Sequence, residues 1–285
     1  MSIFYKRKVI PWLCYMLYRK YRPCAALQPF VECYYIWEQG QKLMDPIQVE
    51  SPPNGFTAMV FVYGDRYKAE NGKQQMEQVP LCFLTGQLTA TYHLQLSGKI
   101  GMAGVVFKPS AISSIFRIPM PEITNQRIPL DSIFGPEVCL LTEQVADATS
   151  HFGKISAIEA YLLKKVLTQK FSLDAVDYAV DIIMERKGII SVKELTQLLN
   201  INRRQFERKF IYKVGLSPKY YCRLKRLGHV CSLLVAKKHP DWQDVVYEGG
   251  FYDQSHFIKD FVEFIQQNPS LYYKQHKELV NFLDR

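Results

Sequence analysis

The sequence predicts an α+β chain. Its N-terminal half is β-rich with some helices. Its C-terminal domain is all-α, two helix-turn-helix units joined by a long helix. Three observations lead there. Short β-branched and aromatic runs, punctuated by Gly and Asn, fill residues 30–107. The last hundred residues carry one helical pattern twice, with Phe206, Phe210, Pro218 and Tyr221 returning 51 residues later as Phe257, Phe261, Pro269 and Tyr272. Positive charge is concentrated in the first copy: residues 186–238 hold 14 basic and 2 acidic side chains.

The N-terminal runs are Phe30–Trp37, Thr57–Tyr63, Val79–Leu84, Tyr92–Leu96 and Met102–Phe107. Asn54-Gly55, Gly64-Asp65, Asn71-Gly72 and Ser97-Gly98 separate them, and the spacing predicts a small barrel or sandwich. From Pro109 the pattern becomes helical, over residues 110–116, 136–152 and 155–170. Ile155, Ile158, Leu162 and Val166 share one face of the last of these. That face either packs on its own sheet, the reading preferred, or forms a homodimer seam. Tyr34, Trp37, Phe61, Tyr63, Phe83 and Phe107 either line a ligand pocket or, for most of them, fill the core.

In the C-terminal half, Ser191 with Glu194 forms a capping box and starts a short helix to about Leu199. Asn202 with Gln205 opens the next helix, in which Phe206 and Phe210 sit one turn apart and mark a buried face. Ser217-Pro218, an N-cap followed by proline at the first helical position, starts a long helix to about Ala236. The second unit follows the same grammar: Asp241 and Asp244 begin a helix, Gly250 ends it, Asp253 caps the next, and Asn268-Pro269 opens the last. Two short helices with exposed Arg on the second are the layout of a helix-turn-helix.

The formal net charge is +9, but the two repeats differ in sign: residues 186–238 balance to +12 and residues 239–285 to −4. A one-signed basic stripe on a helical domain is the footprint of nucleic-acid binding, whereas a merely solvated face carries mixed signs. The acidic balance of the second repeat, with Asp260 beside Lys259, predicts that this unit is held off the duplex or only lightly docked. No apolar run approaches the roughly 20 residues that span a bilayer, so no membrane partner is expected. Seven cysteines, none at C-x-x-C spacing, read as reduced thiols of a cytoplasmic protein. No nucleophile elbow, phosphate loop or dinucleotide fingerprint is present. Residues 1–150 contain one histidine, His93, with Gln95 where an H-x-H pair would need its partner. Neither an enzyme nor a metal or cofactor site is expected.

The run Asp244–Phe261, together with Gly215-Leu216-Ser217-Pro218 and its preceding helix, resembles the signature of AraC/XylS-type transcription regulators over residues 172–277. The resemblance implies two recognition helices set in successive major grooves on one face of promoter or operator DNA. It places Arg203, Arg204, Glu207 and Arg208 on the first recognition helix, Asn202–Tyr212, with Arg204, Glu207 and Arg208 facing bases. Gln254, Ser255, His256 and Lys259 hold the matching positions on the second, Asp253–Ile265. Lys219 and Arg223, on the long helix, are expected to hold phosphates. Thr196 and Val246 stand where the family usually has Ala, and Asn200 and Gln266 replace turn glycines. The stretch 18–37, with Leu84–Gln87 and Gly104–Pro109, resembles the cupin-like sensor domain of one AraC-type subgroup.

The expected organisation is an extension at 1–17, a cupin-like sensor or dimerisation domain at 18–152, a connecting helix at 153–171 and the DNA-binding domain at 172–285. Because the sensor resemblance begins near Tyr18, Met16 is an alternative start to Met1. Besides DNA, the partners to look for are a small-molecule or protein effector, RNA polymerase and a second copy of the chain. The rival readings are an interaction protein with weak DNA binding and a cupin-like enzyme fused to a DNA reader.

Overall fold

The computed structural model describes residues 4–5, 16–72, 74–168, 173–236 and 241–274. Strands β1 (Phe4–Tyr5), β2 (Met16–Tyr21), β3 (Val31–Gln39), β4 (Leu43–Ser51), β5 (Thr57–Val62) and β6 (Lys68–Glu70) come first. Then follow β7 (Met76–Gln78), β8 (Cys82–Thr85), β9 (Tyr92–Gly98), β10 (Gly101–Phe107) and, after helix α1 (Ala111–Phe116), β11 (Arg127–Pro129). They form two antiparallel sheets, β1-β4-β9-β6-β7 and β11-β8-β5-β10-β3-β2. Helices α2 (Leu130–Phe134), α3 (Glu137–Asp147) and α4 (His151–Leu167) complete the N-terminal half.

The six-stranded sheet is buried on both faces, and strand alternation sorts its residues between two cores. Val60, Val62, Tyr35, Trp37, Met102 and Val106 face the second sheet, while Met59, Phe61, Tyr34, Ile36, Val105 and Phe107 face helices α1–α4. This explains why β3, β5 and β10 read as nearly unbroken apolar runs instead of alternating ones. At Gly104 the backbone of β10 passes under Tyr35, and a Cβ there would lie 2.6 Å from the ring. A Gly104→Ala change is expected to cost about 1–3 kcal/mol by overpacking, measurable in urea melts.

The aromatics named from the sequence divide accordingly. Tyr34, Phe61 and Phe107 lie in the helix-side core, Trp37 and Phe83 lie between the sheets, and Tyr63 is half-buried at the rim. The space left between the sheets, bounded by Tyr35, Trp37, Tyr67, Phe83 and Tyr92, is only about 60 Å³. A drug-sized ligand needs several times that volume. Ile155, Ile158 and Leu162 of α4 are buried against this same sheet, so the face considered as a homodimer seam is occupied within the chain. His151 anchors the start of α4: its Nε2 lies 2.7 Å from Glu38 Oε2, and its Nδ1 lies 3.1 Å from the Tyr21 hydroxyl.

The C-terminal half contains α5 (Ala175–Glu185), α6 (Val192–Leu198), α7 (Arg203–Val214), α8 (Pro218–Ala236), α9 (Trp242–Glu248) and α10 (Gln254–Ile265). Residues 269–274 are also helical. The capping reading holds at each start: Ser191 accepts from Glu194 N–H, Asn202 from Gln205, Asp241 from Gln243 and Asp253 from His256. Glu194 does not reach back to complete a box, because Arg186 engages it instead. The two substituted turn positions do adopt left-handed backbone, with φ of 48° at Asn200 and 61° at Gln266. One core, centred on Phe206, Phe210, Tyr221, Phe257 and Phe261, binds both units to α8.

Candidate nucleic-acid interface

Burial of Phe206 and Phe210 on one face of α7 leaves Arg203, Arg204, Arg208 and Lys209 exposed on the others. Arg203 Nε donates to Glu207 Oε1 at 2.9 Å across one helical turn, so this pair is occupied on the surface. Among the described residues no ion pair engages Arg204 or Arg208. They stand one turn apart, both solvent-facing, as a helix laid in a major groove requires. Lys219 is exposed on the first turn of α8. In the second unit Gln254, Ser255 and Lys259 are exposed on α10. His256 is half-buried and turns inward, its ring edge-on to Phe251 at 5.4 Å and its Nε2 3.8 Å from Asp260.

Arg223 sits elsewhere than the sequence suggested. It is not a free cation on α8. Its Nε and Nη2 donate to Asp260 Oδ1 at 3.2 and 2.7 Å, and both terminal nitrogens donate to Glu263. Those hydrogen bonds, the one to Asp260 foremost, hold its guanidinium charged above the ordinary arginine range. Asp260 in turn is 2% exposed. The repulsion from phosphates that the sequence assigned to Asp260 is therefore absent: its charge is buried and answered by Arg223 and Arg226. The first repeat's excess is likewise partly internal. Lys213 pairs with Asp174 and Asp177, which lie outside the counted segment, and Arg223 and Arg226 are taken up by Asp260. Neither sign of the charge asymmetry transfers whole to the surface, because the sequence does not say which charges face each other.

The N-terminal half touches the C-terminal half at several points. Lys108 pairs with Asp181 at 2.8 Å, and the Ser114 hydroxyl donates to Asp177 at 3.2 Å. Tyr220 OH donates to Thr89 O at 3.1 Å, while Thr91 N–H and Oγ1–H both donate to Phe264 O at 3.1 Å. Thus Thr91 holds the C-terminal end of α10, and the N-terminal turns of α7 and α10 stay open.

Between the β4–β5 loop and α8 runs a cleft of about 550 Å³ lined by Pro52, Pro53, Phe56, Lys187, Lys225 and His229, among others. No carboxylate is among its lining residues. Lys225 Nζ donates to Asn54 O at 3.3 Å and lies 3.9 Å above the Phe56 ring. Burial brings its pKa down from the ordinary 10.5 to about 8, with partial relief from Glu32. Burial, with Lys187 nearby, also lowers the pKa of His229. The role of Lys225 had no sequence signal beyond its place in a basic segment. Among the described residues no three His, Cys, Asp or Glu side chains are grouped to hold a metal ion, and no helix is long and apolar enough to cross a membrane.

Residues 195–275 match the family described as Helix-turn-helix domain, and residues 19–129 match a Domain of unknown function (DUF6597). No curated protein matches the sequence. Similar solved structures include the 1.65 Å structure of ToxT from Vibrio cholerae, 13% identical over 85% of this chain and 97% of that one, with a TM-score of 0.43. Unsaturated fatty acid-bound wild-type ToxT from V. cholerae strain SCE256 gives 13% identity, 85% and 94% coverage and a TM-score of 0.43. The AraC-like transcriptional activator CuxR gives 9% identity, 99% and 95% coverage and a TM-score of 0.22. The C-terminal half therefore carries a helix-turn-helix domain. Set behind the separately matched N-terminal domain, it gives the chain a two-domain organisation.

Proposed function

We propose that the chain is a sequence-specific transcription regulator in which both helix-turn-helix units dock on one face of promoter DNA. The N-terminal half senses a signal. The observation that carries the reading is the pair Arg204 and Arg208, exposed, free of ion pairs among the described residues and one turn apart on a helix buried along its other face. Arg in that position reads guanine O6 and N7 bidentately. Gln254, Ser255 and Lys259 are the counterparts on α10, and Lys219 supplies a phosphate contact. Selection from random duplex DNA tests the reading: enrichment of a defined site is expected, and a pool without enrichment would refute it. Lys219→Ala is expected to reduce the slope of log K against log salt by about one unit and weaken all sequences alike.

The signal route supported best is the interdomain cleft, since the space between the sheets is only about 60 Å³. Its apolar walls and cationic side chains, with no carboxylate, suit a small anionic effector. Lys225 is held there at a cost to stability. The unfolded chain keeps the proton up to pH 10.5, whereas the folded chain releases it near pH 8. The native state binds fewer protons in that window, so stability rises from about pH 8 to 10.5. Lys225→Met is expected to raise stability at pH 7 by about 1–2 kcal/mol and to flatten that rise. Urea melts at pH 7 and pH 10 measure both, and a less stable variant that keeps the rise would count against this account of Lys225.

A further inference from the structure

The two units repeat at a step of 51 residues, so Asp260 of α10 corresponds to Lys209 of α7, and Glu263 to Tyr212. Lys209 and Tyr212 are exposed, whereas Asp260 is 2% exposed. The duplication is broken at the face where α10 meets α8. Arg223 there grips Asp260 and Glu263 together, and Arg226 Nη2 lies 3.5 Å from the other Asp260 oxygen. The Arg226 guanidinium also donates to Gly250 O, in the turn between α9 and α10, at 3.2 Å and lies 4.6 Å from the Phe251 ring centre. Two adjacent arginines of the long helix therefore hold the turn and the recognition helix of the second unit at once. No comparable ion pair ties α7 to α8 among the described residues.

Resting on the reading that both units dock on DNA, we propose that Asp260 is a positioning residue. It fixes the angle of α10 against α8, and so the distance along the duplex at which the second groove is read. A buried ion pair is a poor source of stability, because desolvating the charges offsets most of their attraction. Two Arg223 N–H groups converging on one Asp260 oxygen, with a bidentate pair to Glu263 beside them, do restrict orientation. Unit 1 needs no such clamp, since α7 joins α8 through the short turn Gly215–Ser217. Asp260 makes no contact with DNA in this scheme. Its effect appears in spacing and not in base preference.

The test uses the full chain and the sites it enriches from random duplex DNA. From one such site, a series is made in which the two elements are moved apart or together by about 1–3 base pairs around one helical turn. Wild-type protein is expected to prefer one spacing by about tenfold or more over its neighbours. Asp260→Asn and Arg223→Met are each expected to level that preference to within about threefold, with affinity for the first element alone unchanged. Asp260→Glu is expected to restore a single optimum, shifted or broadened. An unchanged spacing profile in folded Asp260→Asn and Arg223→Met protein overturns the proposal while leaving the DNA-binding reading intact. Loss of folding in both variants also overturns it, by making the cluster a stability element only. Wild-type protein that enriches no site, or a single element, overturns both readings.

Discussion

Replacing Arg204 and Arg208 together by alanine is expected to remove about 2–6 kcal/mol of specific DNA binding, since a good bidentate base contact contributes about 1–3 kcal/mol. Both side chains are exposed and stand outside the ion pairs of the described residues, so folding stability should change by no more than about 0.5 kcal/mol. Binding to non-specific DNA should fall far less than binding to the selected site, because phosphate neutralisation by Lys219 and the exposed lysines remains. Fluorescence anisotropy at fixed salt, with the selected site and a scrambled duplex, measures the two losses. An equal loss on both duplexes would make these arginines phosphate contacts, and no loss on either would place the interface elsewhere. Arg203→Ala should matter less, because Arg203 is already paired with Glu207.

Phe210→Ala is expected to cost about 3–5 kcal/mol of stability, the range for emptying a fully buried aromatic site. Phe210 is 0% exposed, with its ring 5.5 Å from Phe206 and 5.9 Å from Tyr221. It joins α7 to α8, so on the proposed reading its loss should disable DNA binding through unfolding or misplacement of α7. The exposed Ile211 one residue on is the control: Ile211→Ala should cost under about 1 kcal/mol. Urea unfolding followed by circular dichroism separates the two, and a cost below about 1 kcal/mol for Phe210→Ala would contradict the shared core.

The C-terminal helices were legible because their signals are local. Ser191, Asn202, Asp241 and Asp253 cap within three residues, and Phe206 with Phe210 marks a buried face within one turn. Strands β3, β5 and β10 were legible because burial on both faces made them almost wholly apolar. β2 was not, because as an edge strand it exposes Arg19 and Lys20. β4 was hidden by Asp45-Pro46 at the irregularity between Leu43 and Ile47, where proline leaves the ladder a donor short. Arg204 and Arg208 are exposed because Phe206 and Phe210 bury the other face of their helix, as the periodicity implied, and Gln254 and Lys259, placed by the resemblance, are exposed on α10. Arg223, Lys225 and Asp260 could not be placed that way. Each is defined by a partner 34 to 171 residues distant, and composition counts a buried, answered charge the same as a free one.

Hydroxyl-radical footprinting of the full chain on its selected site tests the central claim most directly. Two protected segments about one helical turn apart on one face of the duplex, of similar strength, are the result expected of two docked units. Lys259→Ala with Gln254→Ala should weaken the second segment and leave the first. A single protected groove, unchanged by those substitutions, would contradict the account and leave the second unit without a place on DNA.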